Sequence, residues 1–494
     1  MAQPELNESK WILLLCLFAA IHVFIFSAAF PFFNNVDEEA HFDLVVKYSH
    51  GHFPRALEPS SDETMNYYVL YASEEYLWSP PPGQPFPPPM WTWPVDKAVS
   101  VLSARKTLWN DPNHEGSQPP LYYTLAGLWW HAGKLCGFHN GSLLYWLRFL
   151  NLVFVSALVW LGYVATRLVF PGEKFLQLGV PAMLAFLPQT AFYSIQNDVP
   201  SPVCFGVVFI LLIKLDRMEM PGIRLGIATG LAMAATFLTK ISNLPLLVVA
   251  AFFILLKVRR LARAGKLRAA FPALLALALC AALPMASWLA WCKYNFGDFT
   301  GTAAKIQYLG WTHKPFIEWW LHPIFTPHGF WTFISTLIAT FWQGEFLWHL
   351  QPLTSPAVDA IYAISSVVFV VLALAGLRPR SGTTTQSQRH ALWLGFASFI
   401  AVIVFLGFLS IIYDFHDCFY PSREHPYFTS GRLMLGALIP FMIIYVYGLE
   451  RALVRIKNQW IRPLALFGII LFMLVSEIGS DWQVFFSQYN WFHM

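Results

Sequence analysis

Residues 11–42 of the 494-residue chain read WILLLCLFAAIHVFIFSAAFPFFNNVDEEAHF. The first part, Trp11–Phe33, is almost entirely apolar and long enough to cross a bilayer, which takes about 20 residues. Three carboxylates, Asp37, Glu38 and Glu39, follow where this helix would leave the membrane. Acidic groups at the edge of a low dielectric are costly and usually have a function. We therefore predict that the chemical centre lies just after the first span.

The composition favours a polytopic helical membrane protein. The chain is 56% hydrophobic and only 12% charged, whereas a soluble domain has about 25% charged residues. Continuous apolar runs recur, and a membrane β-barrel would instead show short alternating strands. We predict an all-α fold with about eleven transmembrane helices. The predicted spans are 11–33, 148–170, 175–194, 200–215, 224–240, 243–258, 269–291, 356–377, 391–412, 431–450 and 463–480.

Two further apolar pieces, Pro119–Phe138 and Phe330–Trp348, are predicted to be interfacial helices in large external loops. If the first of them crossed the membrane, the later basic loops would lie outside, against the positive-inside rule. We therefore place these loops in the cytoplasm, with the N-terminus inside and the C-terminus outside. Their basic residues are Lys214, Arg217, Arg224, Lys257, Arg259, Arg260, Arg263, Lys266, Arg268, Arg378, Arg380, Arg389, Arg451, Arg455, Lys457 and Arg462.

The predicted organisation has five parts. They are the N-terminus and first span (1–33), a first external loop with an acidic motif and interfacial helices (34–147), a transmembrane core with a second acidic motif at 196–198 (148–291), a large Trp-rich external loop (292–355) and C-terminal spans with a Gly-Arg motif at 431–432 (356–494).

With this topology, several polar groups meet at the external face. They are Asp37, Glu38, His41, Glu115, Gln118, Asn197, Asp198 and Arg432, with Arg148 and Lys240 nearby at span ends. Arginine binds phosphate through two parallel hydrogen bonds, and a carboxylate can take a proton from an attacking hydroxyl. Carboxylates beside a buried arginine therefore suit a reaction with a phosphate leaving group.

Six short motifs occur in a fixed order along the chain. They are Asp37-Glu38, EGSQPPLYY at 115–123, WLRF at 146–149, QND at 196–198, Thr239-Lys240 and YFTSGR at 427–432. Together they resemble the C-type membrane glycosyltransferases, which include protein O-mannosyltransferases and the lipid A aminoarabinose transferase. One position departs from that pattern, since Gln118 stands where the aminoarabinose enzyme has a lysine.

The resemblance implies transfer of a sugar from a polyprenyl-phosphate donor to a hydroxyl of a glycan, lipid or protein acceptor, with inversion. It implies catalytic roles for Asp37, as general base, and for Glu38. It also implies that Asp37, Asp198 and His41 hold a divalent cation, Mg²⁺ or Mn²⁺, if the enzyme uses one. The substrate and phosphate contacts would be Arg432, Arg148, Gln118, Tyr122, Tyr123, Asn197 and Lys240.

Two other classes stay open at this stage, a transporter or flippase of a lipid-linked precursor and a non-catalytic assembly protein of the cell envelope. Transporters place charges near the membrane midplane and often contain repeats, whereas here the polar groups gather at one face. The sequence contains no P-loop, Rossmann glycine pattern or serine-hydrolase elbow, and its basic clusters lie between spans, which does not suggest nucleic-acid binding. The expected location is the inner membrane, with the site facing the periplasm.

Overall fold

The computed structural model describes residues 4–73, 75, 86–108, 111–377, 384–418, 420–454, 456, 458 and 460–494, with backbone only for 4–7 and 105–108. The helices are α1 Pro4–Ala29, α2 Glu38–Ser49, α3 Asp62–Tyr71, α4 Val95–Leu108, α5 Leu121–Leu135, α6 Asn140–Arg148, α7 Leu150–Val169, α8 Lys174–Ala185, α9 Ser201–Arg217, α10 Ile223–Thr239, α11 Leu244–Arg263, α12 Leu267–Phe296, α13 Thr302–Tyr308, α14 Phe316–Trp319, α15 Pro327–Gln343, α16 Pro356–Gly376, α17 Gln386–Ile412, α18 Leu438–Leu453 and α19 Ile461–Asp481.

Strands are minor in the described part of the chain. β1 (Thr312–His313) pairs antiparallel with β4 (Tyr413–Asp414), and β2 (Leu347–Trp348) pairs antiparallel with β3 (Gln351–Pro352). The predicted all-α polytopic membrane fold is confirmed.

Eight helical stretches of the described residues are long and apolar enough to cross a membrane. The other three of the eleven predicted spans form α8, α9 and α10, which have 12, 17 and 17 residues. A 17-residue helix is about 25 Å long, which is shorter than the hydrocarbon core of about 30 Å. α9 packs against α7, α10, α11 and α17, so other helices rather than lipid surround much of it.

Small residues bring α10 against α12. A Cβ atom on Gly226 would lie 2.1 Å from the carbonyl oxygen of Ala273, and one on Gly230 would lie 2.4 Å from that of Leu277. The two glycines are four positions apart, the spacing that lets two membrane helices approach closely. This contact fixes α10, and Lys240 directly follows the end of that helix.

The outer surface of the helical bundle is apolar. On α12, four large apolar side chains spaced four residues apart are each between 44% and 62% exposed, namely Phe271, Leu275, Leu279 and Leu283. Residues four apart lie on one face of a helix, and an apolar stripe of this length facing outward fits contact with lipid.

The two ends of the bundle differ in charge. α9 begins just after Asp198 and ends at Arg217, and at that far end Arg260 Nη2 lies 2.6 Å from Asp216 Oδ1. The predicted basic residues Arg378, Arg380, Arg455 and Lys457 lie outside the described residues. Which end faces the cytoplasm stays a prediction.

The predicted interfacial pieces form α5 and α15. α5 has 15 residues and packs against α2, where a Cβ on Gly127 would lie 3.0 Å from the backbone nitrogen of Ser49. Thr326 caps the start of α15, since its hydroxyl accepts a hydrogen bond from Gly329 N, and the later turns of this helix are buried. Both helices border the end of the bundle where the polar groups gather.

Candidate active site

Asp37 precedes the first residue of α2 in a left-handed backbone conformation, with φ 62° and ψ 12°. This conformation is uncommon for a residue with a side chain, and such strain is concentrated at functional sites. The carboxylate does not cap its own helix. Its Oδ2 accepts a hydrogen bond of 2.6 Å from Arg432 Nη2, and its Oδ1 lies 3.2 Å from His114 Nε2.

Arg432 gathers three carboxylates. Besides Asp37, its Nη1 lies 3.4 Å from Asp198 Oδ2 and its Nε lies 3.3 Å from Glu345 Oε2. We call Arg432, Asp37, Asp198 and Glu345 the Arg432 centre. Four elements distant in sequence thus meet at one guanidinium, and Asp37, 22% exposed, is the most accessible member.

Gly431 explains how Arg432 reaches this position. A Cβ at Gly431 would lie 2.0 Å from the backbone nitrogen of Phe341, which no side chain can accommodate. Gly431 N also donates to Thr340 Oγ1 at 3.0 Å. The Gly-Arg motif therefore packs a 3₁₀ turn, Gly431–Ala437, directly on the backbone of α15.

Lys240 and Asn197 extend the centre. Lys240 Nζ donates to Asp198 Oδ2 at 2.6 Å, and Asn197 Nδ2 donates to Gln118 Oε1 at 3.2 Å. Lys240, Asp198 and Asn197 are each at most 5% exposed. The structure thus brings the predicted residues Asp37, Asp198, Asn197, Lys240, Gln118 and Arg432 together.

Glu115 joins the group through residues that sequence reasoning missed. It bonds Lys305 Nζ, accepts from Gln118 Nε2 at 2.5 Å, and lies 3.5 Å from His114 Nε2. His114 directly precedes the EGSQPP motif and could have been found there. Lys305 and Glu345 come from the loop 292–355, where no local pattern marks them.

The pKa values reflect this network. Burial raises the pKa of Asp37, but the charge of Arg432 and the bond to His114 outweigh it and hold the pKa well below its usual range. Burial also raises the pKa of Glu115, but the positive charge of Lys305 outweighs burial, so the pKa is lowered overall. Burial, and then the charge of Asp37, raises the pKa of Glu39 to about 7. Asp37 is therefore an ionised, paired carboxylate and a weak base.

Burial lowers the pKa of His114, but the hydrogen bond that it donates to Asp37 and the charges of Asp37 and Glu115 reverse this, so that the pKa is raised overall. His114 Nε2 faces one oxygen of each carboxylate, at 3.2 and 3.5 Å. The imidazole therefore lies between the two acids and can donate to them when it is protonated.

Glu38 and Arg148 do not fit the roles predicted for them. Glu38 is fully buried and accepts hydrogen bonds from Arg148 Nε and Nη2, from Phe33 N and from Ile195 N. The remaining Arg148 donors bond the carbonyls of Ser27, Phe30 and Pro31 at the end of α1. All five N–H groups of this arginine are used, so the pair holds α1 to α2 and α6 instead of binding substrate.

Three other predicted residues are also structural. Tyr122 and Tyr123 are 2% and 0% exposed and belong to a buried apolar cluster. His41 is buried, its Nδ1 bonds Tyr123 Oη at 2.8 Å, and burial lowers its pKa to about 4. His41 is therefore neutral, and neither tyrosine ring is accessible to a substrate.

The residues predicted to hold a divalent cation do not converge as ligands. Asp198 Oδ2 is bonded to Lys240, and among the described residues neither Asp198 nor His41 belongs to a group of potential ligand atoms within 4.8 Å of one another. Among the residues described, a different set, Asp37, His114 and Glu115, has ligand atoms within 4.8 Å of one another.

This second set does not fit a resident divalent cation either. Both oxygens of Asp37 are engaged, by Arg432 and His114, and both oxygens of Glu115 are engaged, by Lys305 and Gln118. A hard cation would need these oxygens, and the charges of the two carboxylates are already balanced by protein cations. We derive no step through a metal.

A family model described as "Predicted membrane protein (DUF2142)" matches residues 18–413. The chain belongs to the DUF2142 family. The description of this family states a membrane protein and no activity. No curated protein matches the sequence.

The DUF2142 chain is similar to several solved structures. The oligosaccharyltransferase of Archaeoglobus fulgidus in the apo form is 12% identical, with a TM-score of 0.39, and the match covers 96% of this chain and 56% of that one. AglB of the same organism, in complex with an inhibitory peptide and a dolichol-phosphate, is 14% identical, with a TM-score of 0.38 and coverage of 97% and 56%.

ArnT from Cupriavidus metallidurans, bound to undecaprenyl phosphate, is 11% identical, with a TM-score of 0.33 and coverage of 90% and 78%. The DUF2142 chain spans 56% of the length of the archaeal chains that it matches.

Proposed function

We propose that this protein is a membrane glycosyltransferase that moves a sugar from a polyprenyl-phosphate donor to a hydroxyl acceptor at the Arg432 centre. The observation that carries the proposal is a buried guanidinium with spare hydrogen-bond donors at the end of a membrane bundle. The donor class follows from the resemblance of the sequence motifs.

Arg432 has donors left for a ligand. Each of its Nη atoms carries two N–H groups, and each makes one contact with a described residue. Lys240 Nζ has three donors and one bond, to Asp198. A guanidinium and an ammonium in a water-poor site would stabilise the negative charge that develops on a leaving phosphate.

Two buried polar atoms beside the centre also lack a partner, His41 Nε2 and Asn197 Oδ1. Buried polar atoms are nearly always hydrogen-bonded, so each such exception needs an explanation. A ligand with hydroxyl or phosphate groups in the centre would supply the missing partners.

The step that we propose is a direct displacement. The acceptor oxygen attacks the anomeric carbon of the donor, and the bond from this carbon to the phosphate oxygen breaks, which inverts the configuration. Arg432 and Lys240 bind the released lipid phosphate. In this proposal Asp37, whose pKa is held low, keeps Arg432 oriented, in place of the general-base role that the resemblance implied.

We place the centre on the periplasmic side of the inner membrane, because the basic loops lie at the other end of the bundle. The first experiment varies two substrates. The donor sugar is a hexose or a pentose, and the acceptor is a glycan, a lipid or a protein.

The experiment measures transfer by purified protein in detergent. The donors are radiolabelled polyprenyl-phosphate sugars, and the acceptors are mixed envelope lipids and glycans. The variant is Arg432→Lys, and its matched control is Arg423→Lys, since Arg423 is an exposed arginine that is also paired with a carboxylate. We expect labelling by the wild type and the control, with a large loss in Arg432→Lys.

Two results would count against the proposal. Equal labelling by Arg432→Lys and wild type would remove the Arg432 centre from the reaction. Movement of intact labelled lipid across a vesicle membrane, with no transfer, would favour the flippase. A non-catalytic assembly protein would neither label acceptors nor bind the donors.

A further inference from the structure

Glu39 differs from the other carboxylates around the Arg432 centre. Each of the others has a cationic or hydrogen-bonding partner, namely Asp37, Glu38, Asp43, Glu115, Asp198 and Glu345. The Glu39 carboxylate makes no hydrogen bond or ion pair to any other residue that the structure describes. Its side chain is partly exposed and faces a cavity, so this carboxylate is available to a ligand there.

Glu39 lines a cavity of about 270 Å³. The other polar or aromatic residues in its wall are Ser60, Thr64, Tyr68, Asp111, Asn113, His114 and Tyr308. Pockets for drug-sized ligands measure about 300–1,000 Å³. This cavity therefore has room for about one sugar ring and not for a polyprenyl chain.

The chemistry of the wall suits a carbohydrate. Its hydroxyl and carboxylate groups can bond sugar hydroxyls, and its tyrosines offer faces to the apolar side of a ring. Tyr308 lies parallel to His114, with 6.2 Å between ring centroids and 7° between planes. Two wall residues, Glu39 and Asp111, are acids and His114 is the one titratable base, so the cavity favours a neutral or amino sugar over an anionic one.

His114 connects the cavity to the Arg432 centre. It lines the cavity, and its Nε2 lies 3.2 Å from Asp37 Oδ1. Glu39 and Asp37 are two residues apart at the start of α2. A sugar in the cavity would therefore lie beside the place where the donor phosphate is released.

We propose that this cavity binds the acceptor sugar, and that the Glu39 carboxylate takes the proton from its attacking hydroxyl. This inference rests on the proposed glycosyltransferase activity. As the acceptor oxygen bonds to the anomeric carbon, its proton passes to Glu39. The bond between that carbon and the phosphate oxygen breaks, and its electron pair leaves with the phosphate held at Arg432. Glu39 later returns the proton to water.

The test separates three quantities in full-length protein, which are binding of a polyprenyl-phosphate sugar, binding of a small sugar and the rate of transfer. The sugar probes are methyl mannoside, methyl glucosaminide and, as the anion, glucose 1-phosphate. The variants are Glu39→Gln, Glu39→Asp and Ser60→Trp, which fills the cavity. The control is Glu318→Gln, an exposed carboxylate on α14.

We expect Glu39→Gln to bind the donor as the wild type does and to lose about 10²–10⁴-fold in transfer rate at saturating donor. Glu39→Asp should recover part of that loss, which a purely structural role would not predict. Ser60→Trp should lose binding of the neutral or amino sugar and keep binding of the donor. Glu318→Gln should behave as the wild type in all three assays.

Several outcomes would overturn the inference. One is transfer by Glu39→Gln at the wild-type rate, and another is unchanged sugar binding by Ser60→Trp. Tighter binding of glucose 1-phosphate than of the uncharged sugars would contradict the chemistry assigned to the cavity. If the wild type binds the sugars but no lipid donor, the proposed function fails and the cavity stands as a sugar site. If it binds the donor but no sugar, the inference fails alone.

Discussion

Arg148 and Arg432 are both buried arginines beside acidic residues, and their sequence motifs suggest the same role in phosphate binding. Their surroundings are opposite. Arg148 uses all five N–H groups on one carboxylate and three backbone carbonyls. Arg432 lies among three carboxylates and keeps donors in reserve.

The difference lies in the hydrogen-bond donors left over, which Arg148 lacks and Arg432 has. Arg148 bonds carbonyls that lack partners at the end of α1, where basic side chains commonly satisfy the last carbonyls of a helix. Arg432 is surrounded by negative charge that exceeds its own, so Lys240, Lys305 and His114 are needed nearby. The first arrangement is closed, and the second can rearrange around a ligand.

The largest expected effect is on the stability of the protein when the buried pair of Arg148 and Glu38 is broken. Arg148→Met leaves Glu38 buried without its cation, and breaking a buried ion pair typically costs about 3–5 kcal/mol. We expect a strongly lowered midpoint of thermal unfolding in detergent, or a failure to accumulate in the membrane.

The double variant Arg148→Met/Glu38→Leu provides the control. Replacing a whole buried pair by apolar residues of similar size is often neutral, so it should recover part of the lost stability. If Arg148→Met were as stable as the wild type and only lost donor binding, the two arginines would not differ as we conclude.

The contrast between Arg148 and Arg432 also shows which features of the site could be predicted from the sequence. The position of Asp37, Asp198, Lys240 and Arg432 at span ends followed from apolar run lengths and motif order. The structural role of Arg148 did not, because its partners at Ser27, Phe30 and Pro31 are carbonyls, and a sequence carries no sign of which carbonyls lack partners.

Long-range contacts set a second limit. Lys305 and Glu345 reach the centre from the loop 292–355, and neither belongs to a recognisable motif. The motif around Glu115 was found, yet its neighbour His114 was passed over because nothing in the sequence showed that Asp37 lies against it. Helix length was also beyond the sequence, since α8, α9 and α10 have 12, 17 and 17 residues and are shorter than the other eight predicted spans.

The next largest effect concerns activity at the open site. Arg432→Lys keeps the charge and loses the planar fork that can bond a phosphate through two N–H groups. Removing one hydrogen-bond donor to an anion that develops in a transition state typically slows an enzyme by about 10²–10³-fold. We expect a loss of the same size in the transfer rate of Arg432→Lys. The wild type and the Arg423→Lys control are compared at saturating donor.

Thermal unfolding provides the second readout for Arg432→Lys. A small change in the midpoint would agree with an open site, whereas a loss of stability as large as that of Arg148→Met would assign Arg432 a structural role as well.

A smaller effect depends on pH. The pKa of His114 is raised in the folded state, so its stabilising contribution is complete below the unfolded value of about 6.5 and is lost as the pH rises through the folded value. Hydrogen bonds to charged groups contribute about 1.5–3 kcal/mol. His114→Asn should therefore be less stable than the wild type at pH 6, and the gap should narrow at higher pH.

The pKa of Asp37 is shifted in the opposite direction to that of His114, so Asp37 does not change the expected pH dependence of the stability difference between His114→Asn and the wild type. Its pKa is lowered, so its contribution is present above the unfolded value of about 3.9 and is lost only in more acidic solution. Midpoints of thermal unfolding for both proteins between pH 6 and pH 9 test the prediction. A gap that widens toward pH 9 would contradict an imidazolium between Asp37 and Glu115.

The smallest expected effect is at Gln118, the position where the sequence departs from the aminoarabinose enzyme. Its side chain joins Glu115 to Asn197, with donor–acceptor distances of 2.5 and 3.2 Å, and a hydrogen bond contributes about 1 kcal/mol. Gln118→Ala should thus be modestly destabilised and keep binding the lipid donor, because Lys305 already supplies a cation at Glu115. Lys305→Met should weaken donor binding more than Gln118→Ala does, since it removes positive charge. Suppose instead that Gln118→Ala weakened donor binding more than Lys305→Met did. Lys305 would then not replace the lysine that the aminoarabinose enzyme has at the position of Gln118, and the donor would approach through Gln118.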